Sequence, residues 1–245
     1  MKKQNQCYAP VFISNERMAF MINLSKVATA TEMAGYTLSL VDHNFNMVIS
    51  NIAPVESKQV QAFGTYYIQY AAITADPPEG FYYLILHSGN DVAYCTPHQI
   101  EYRKEPRGAL KFSWKSTGNI YNYFYKDLPD FFNTLYLDVV PHNPDYTEFS
   151  QGHNNVVERY VRTRHIAKEY VAFATQWFDR GMHEAFAAIT SHNTLVIDDV
   201  RYGKDDNSSY EIDWQEGGGF GYGYDVACGE IKLLNLDTLK ENNDC

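Results

Sequence analysis

The stretch from Val156 to Val200 limits the choice of fold more than any other part of the chain. It opens as VVERYVRTRHIAKEYVAFATQW, passes through DRGMHEAFAAITSH and closes on TLVIDDV. From Val157 to His165, one side carries Val157, Arg159, Val161, Thr163 and His165, and the other Glu158, Tyr160, Arg162 and Arg164. A period of two is that of a pleated strand, and β-branched residues and tyrosine suit such a surface. A typical strand holds roughly 5 to 6 residues. A bend or bulge is therefore expected near Ala167 to Glu169, with Val171, Phe173 and Trp177 resuming on one face. In the middle phrase Met182, Phe186 and Ile189 stand at helical spacing, with Ala185 beside them. Asp179 is placed to cap the start of that helix, and Asn193 to close it in a left-handed conformation. The order is strand, short amphipathic helix, strand.

The rest of the chain reads as further strands joined by turns. YAPVFI at 8–13 opens the fold. In YTLSLVD at 36–42, Tyr36, Leu38 and Leu40 alternate with Thr37 and Ser39; a turn at His43 to Asn46 follows, and MVISNI returns at 47–52. TYYIQYAAIT at 65–74, FYYLILHS at 81–88 and VAYC at 92–95 are strands, the second apolar on both faces and therefore central. Residues 17–34 fit either a strand followed by a loop or a short helix, and 57–64 are equally undecided. IEYRKEPRG at 100–108 changes composition and marks a domain boundary or crossover. Beyond it, Leu110, Phe112 and Trp114 alternate with Lys111, Ser113 and Lys115. NIYNYFYKDLPDFF is an aromatic loop with a short strand, and NTLYLDVV is a strand that stops at Pro141. SYEIDW and CGEIKLLNL are the last strands, and LKENNDC is a polar tail. The expected fold class is mainly β. Two β-sandwich or jelly-roll-like domains are expected, 1–105 and 106–245, the second with one short helix and the polar tail.

Charge and cysteines narrow the function. Thirty acidic against 20 basic residues give a net charge of −10. That argues against a nucleic-acid-binding surface, which needs cations to displace counterions. Cys7, Cys95, Cys228 and Cys245 are widely spaced with no CxxC pair, so free thiols in a reducing compartment are expected. The N-terminus has no apolar core for a secretory signal, and no run reaches the roughly 18 apolar residues of a membrane span. Twenty tyrosines and 14 phenylalanines suit strand filling, a protein interface or a sugar-binding groove.

No catalytic motif completes itself. His183-Glu184 lacks the second histidine of a zinc protease helix, because position 187 is Ala187, and an exposed polar helix face is expected instead. Asp198, Asp199, Asp205, Asp206 and Asp213 cluster in sequence without an EF-hand pattern. Gly217 to Gly223 lacks the lysine of a phosphate loop. Its glycines instead let Phe220, Tyr222 and Tyr224 face a partner. Arg159, Arg162, Arg164, His165 and Lys168 form a basic stripe. It serves either an acidic neighbouring subunit or cross-strand pairs within the sheet. The interface residues singled out are Arg159, Arg162, Arg164, Phe220, Tyr222 and Tyr224. No catalytic residue, metal or cofactor is assigned.

The phrases NTLYLDVVPHNPDYTE and AFAAITSHNTLVIDDV resemble the C-terminal halves of virion proteins of crAss-like tailed phages of gut Bacteroidota. The resemblance spans residues 109–236 as a pattern of strand, turn and helix phrases, and the N-terminal half shares only its β character. It implies a jelly-roll or sandwich domain followed by a β domain with a short helix. It also implies a non-enzymatic ring subunit in the portal–neck–tail region, made in the host bacterial cytoplasm and carried in the virion. Its partners would be copies of itself, closing head to tail, and neighbouring portal, neck and tail ring proteins. The alternative is a carbohydrate-binding β-sandwich module using tyrosine and tryptophan faces. A β-sandwich hydrolase would need paired carboxylates.

Overall fold

The computed structural model describes residues 11–14, 18–23, 35–61, 65–70, 77–88, 91–95, 99–117, 132–154, 157, 160–214, 226–238 and 240–242. The protein is mainly β, with one helix among the described residues. It divides into two compact units, Met1–Lys111 with Lys115–Leu137, and Phe112–Trp114 with Asp138–Cys245.

The first unit contains β1 (Val11–Ile13), β2 (Met18–Asn23), β3 (Thr37–Val41), β4 (Met47–Ile52), β5 (Pro54–Gln61), β6 (Thr65–Tyr70), β7 (Gly80–Ser88), β8 (Asp91–Cys95), β9 (Ile100–Arg103) and β11 (Asn133–Leu137), with the ends of β10 (Leu110–Lys115). Of the undecided segments, 18–23 and 57–61 are strand and the rest lies outside the described residues; β2, β6 and β5 form a three-stranded sheet with β6 in the middle. Strand β7 is central, as its apolar faces suggested. It pairs antiparallel with β3 on one side and with β8 and β9 on the other, and β9 runs parallel to β1. Leu38, Leu40, Tyr82, Leu84, Leu86, Ile100 and Tyr102 make the core. The turn after β3 is held by Asp42, whose Oδ1 accepts the N–H groups of Asn44 at 2.8 Å and Asn46 at 2.9 Å. The Asn46 side chain and backbone bonds hold the Asp42 carboxyl below the ordinary carboxylate value. The charged segment 104–109 is a turn between β9 and β10, where the Lys104 N–H donates to Glu79 Oε1 at 2.9 Å.

The second unit contains Phe112–Trp114 of β10, then β12 (Val139–Pro141), β13 (Asp145–Asn154), β14 (Tyr160–Thr175), β15 (Phe178–Asp179), α1 (Arg180–Thr190), β16 (Thr194–Ile197), β17 (Val200–Gly203), β18 (Tyr210–Trp214), β19 (Val226–Asn235) and β20 (Lys240–Asn242). Its organising element is β14, a strand of 16 residues with no break at Ala167 to Glu169. The strand persists because it changes partners on both edges. One edge pairs with β13 and then β12, the other with β20 and then β19. The irregularity sits earlier: Gln151 pairs with Arg164 but Gly152 with Arg162, so Thr163 is the extra residue. Val171 and Phe173 are buried as expected, whereas Trp177 lies past the end of the strand and is 45% exposed. The polar tail also contributes structure, since Lys240–Asn242 pair with His165, Ile166 and Ala167.

Helix α1 begins where the sequence placed it. Asp179 is extended, and its Oδ1 accepts the Met182 N–H at 2.8 Å. The end differs: Ser191 caps the helix in a right-handed conformation, and its N–H returns to Ala188 and Ile189. Asn193 is not among the residues with positive φ. Asp198 and Asp199 both have positive φ, 45° and 68°, and form the two-residue turn between β16 and β17. Aspartate tolerates this conformation better than most residues, which accounts for a DD pair at a hairpin tip. Phe186 and Ile189 pack inward, and Phe186 meets Phe112, Phe178 and Tyr210 with ring centroids 5.6, 6.0 and 5.5 Å away.

Candidate interaction surface

Strand β13 stands out among the described residues of the second unit. Its register follows β14 from Asp145↔Tyr170 to Asn154↔Tyr160. A strand laid on a core alternates between covered and open positions, yet every residue from 141 to 151 is exposed. Tyr146 is 70% exposed, Phe149 54% and Val140 50%. The strand has no lysine and no proline along its length, two devices that ordinarily discourage edge pairing. Phe149 sits opposite Ile166, which puts two apolar side chains on one face.

The base of this ribbon is tied down. Lys232 Nζ donates to Asp145 Oδ2 at 2.7 Å and lies 5.3 Å from the centre of the Tyr170 ring. His142 Nδ1 is 3.3 Å from Glu230 Oε2, and Asn235 Nδ2 donates to Glu169 Oε1 at 3.1 Å. Asp205 Oδ2 accepts from both Lys168 Nζ at 2.7 Å and the Tyr170 hydroxyl at 2.6 Å. Burial pushes the Asp205 carboxyl up, but the bonds from Lys168 and Tyr170 outweigh it and keep it below the ordinary value. The base of the ribbon is therefore fixed by side-chain bonds.

Of the basic stripe, Lys168 is engaged by Asp205, and His165 Nδ1 lies 3.1 Å from Ser150 Oγ across the strands. Arg162 and Arg164 stand on β14 opposite Gly152 and Gln151. Arg159, Phe220, Tyr222 and Tyr224 lie outside the described residues, as does most of the aromatic loop at 119–132. The structure thus brings Arg162 and Arg164 to the ribbon.

Two polar clusters were not legible in the sequence. His183, expected on an exposed helix face, is 1% exposed. Its Nε2–H donates to the Ala227 carbonyl at 3.1 Å, which leaves Nδ1 to accept the Tyr210 hydroxyl. A Cβ at Gly229 would lie 3.0 Å from the Tyr210 ring and 3.1 Å from His183 Cε1, so the glycine gives this pair its room. Burial lowers the His183 pKa and raises that of Tyr210. The second cluster is Ser39 and His87, both expected only as residues of strands. Ser39 Oγ lies 2.8 Å from His87 Nε2. That is nucleophile-to-base distance, but Ser39 is fully buried and its oxygen already accepts the Asn51 N–H at 3.2 Å. Strand β4 has an extra residue between Ile49 and Ile52 relative to β3, and Asn51 has a φ of 56°. The serine hydroxyl therefore takes up a backbone N–H turned out of the ladder by a bulge.

The buried histidines set a pH dependence. His183 and His192 both have lowered pKa values through burial, and His192 Nδ1–H donates to the Ala188 carbonyl at 2.7 Å. Their neutral forms are favoured in the folded state, so the stabilisation is complete above the unfolded value near 6.5 and declines as pH falls below it. Denaturation midpoints should drop between about pH 6.5 and 5, with a slope of up to ~1.4 kcal/mol per pH unit for each histidine. A midpoint constant down to pH 5 would contradict this.

Among the described residues, no group of three or more His, Cys, Asp or Glu side chains is arranged to hold a metal ion. Among them, too, no helix is long and apolar enough to cross a membrane. Comparison with protein-family models, curated proteins and solved structures gives no match.

Proposed function

We propose that this chain is a non-enzymatic structural subunit that assembles with copies of itself, and that its place is a ring in the portal–neck–tail region of a tailed-phage virion. The observation that carries the assembly reading is the ribbon: a strand exposed on both faces from Asp145 to Gln151, on a base fixed by side-chain bonds. Exposed apolar and aromatic side chains such as Tyr146 and Phe149 on a fixed base mark a surface for another chain. The resemblance of residues 109–236 to crAss-like virion proteins supplies the virion, its phage partners and the ring. The two units are read as sandwich- or jelly-roll-like domains because their strands, among the described residues, pair antiparallel apart from β1 with β9.

Electron microscopy of the concentrated, purified chain tests this reading. Closed rings of one copy number would support it. A uniform field of single protomers would contradict it. Binding on a glycan array by that monomer would move the assignment to a carbohydrate-binding module.

A further inference from the structure

We infer that the contact between Tyr210 and His183 is an acid-sensitive latch: a proton taken up by His183 detaches β18 from α1 while β14 stays folded. The hydrogen bonds at the latch run one way. His183 Nε2–H donates to the Ala227 carbonyl at 3.1 Å, and a carbonyl only accepts. Nδ1 is therefore bare and accepts the Tyr210 hydroxyl. The Thr175 side chain also bonds to Tyr210, and its Oγ1 takes the Gly229 N–H at 2.7 Å. This chain of bonds joins α1, β18, β14 and β19.

A second proton on the ring opposes one link. Nδ1–H then points at the hydroxyl that was donating to it. Tyr210 must turn its hydrogen away, and that hydrogen, or the one it displaces on Thr175, has no acceptor left among these partners. The new charge sits on a side chain that is 1% exposed. From α1 it meets the Asp179 carboxylate, whose Oδ1 is taken by the Met182 N–H. Tyr210 and the Trp214 ring face it from β18, Phe178 from β15 and the Ala227 carbonyl from β19. Among the described residues, Asp179 is the charged group that acts on it. Strand β18 is the element that yields. Its Glu211, Asp213 and Trp214 are exposed and its Tyr210 and Ile212 only half-buried, so little apolar surface holds it. Phe186 and Ile189 anchor α1, and β14 is paired along both edges. Once Tyr210 lets go, water reaches the charged ring from the side of Trp214.

Hydrogen–deuterium exchange of the full chain, corrected for the intrinsic effect of pH, tests the latch. Between pH 7 and 5 the peptide spanning β18 should lose protection by about five- to twenty-fivefold, the range set by uptake of one proton on opening. Strands β14 and β7 should keep theirs. His192 also lies buried, but its Nδ1–H holds the Ala188 carbonyl at the end of α1, away from β18. His183→Gln separates the two histidines: its amide offers an oxygen to Tyr210 and an N–H to Ala227 but takes no proton. Protection of β18 in that variant should not change with pH. Equal protection of β18 in the unaltered chain at pH 7 and 5 would overturn the latch. So would an equal loss in β14, which is unfolding of the whole unit, or a full acid response in His183→Gln. The profile of the unaltered chain decides if that variant does not fold.

Discussion

Replacing Phe186 with alanine should destabilise the second unit by about 3–5 kcal/mol, enough to unfold much of a marginally stable protein. Phe186 is fully buried on the inner face of α1, and three rings, Phe112, Phe178 and Tyr210, surround it at centroid distances of 5.5 to 6.0 Å. Truncation removes the apolar surface and leaves a cavity that rigid neighbours cannot fill. It also removes three edge-on ring contacts, each worth ~0.5–1.5 kcal/mol beyond burial. Phe149→Ala, on the exposed ribbon, should shift the denaturant midpoint of the monomer by no more than ~0.5 kcal/mol. Urea titrations of the two variants make the comparison. A Phe186→Ala midpoint equal to that of the parent would mean that the helix is not docked as described.

The second large effect belongs to His183. His183→Leu keeps the bulk but leaves the Ala227 carbonyl without its donor and removes the acceptor of the Tyr210 hydroxyl. Losing partners for buried polar groups costs ~1–3 kcal/mol each. The expected loss is about 2–4 kcal/mol at neutral pH, because the side chain of Thr175 also bonds to Tyr210 and softens the second term. His183→Leu with Tyr210→Phe should cost less than the sum of the single changes, since one unpaired hydroxyl disappears. The variant should also lose the His183 part of the acid sensitivity below pH 6.5, leaving the share of His192. Full retention of the pH dependence would assign it to other groups.

Local chemistry was readable along the chain. Asp179 at the helix start, the turn after β3 and the buried stripe of Phe112 and Trp114 all follow from residue types at short spacing. What could not be read depended on distant partners. A strand of 16 residues is improbable by itself and becomes stable when its neighbours take turns along both edges. The same holds for His183, whose two partners lie 27 and 44 residues away. The alternation around Ser39 gave no sign that the bulge in β4 turns the Asn51 N–H toward it. Of the interface residues named from sequence, the alternation around Arg162 and Arg164 correctly gave a strand. It carried no sign that the strand beside them would be exposed on both faces, because exposure depends on what the rest of the chain fails to cover.

Static light scattering of the purified chain across a wide concentration range tests the central claim of assembly through the ribbon most directly. The account predicts a mass that rises with concentration above the 28.1 kDa protomer. A constant 28.1 kDa for the unaltered chain at every concentration would contradict it.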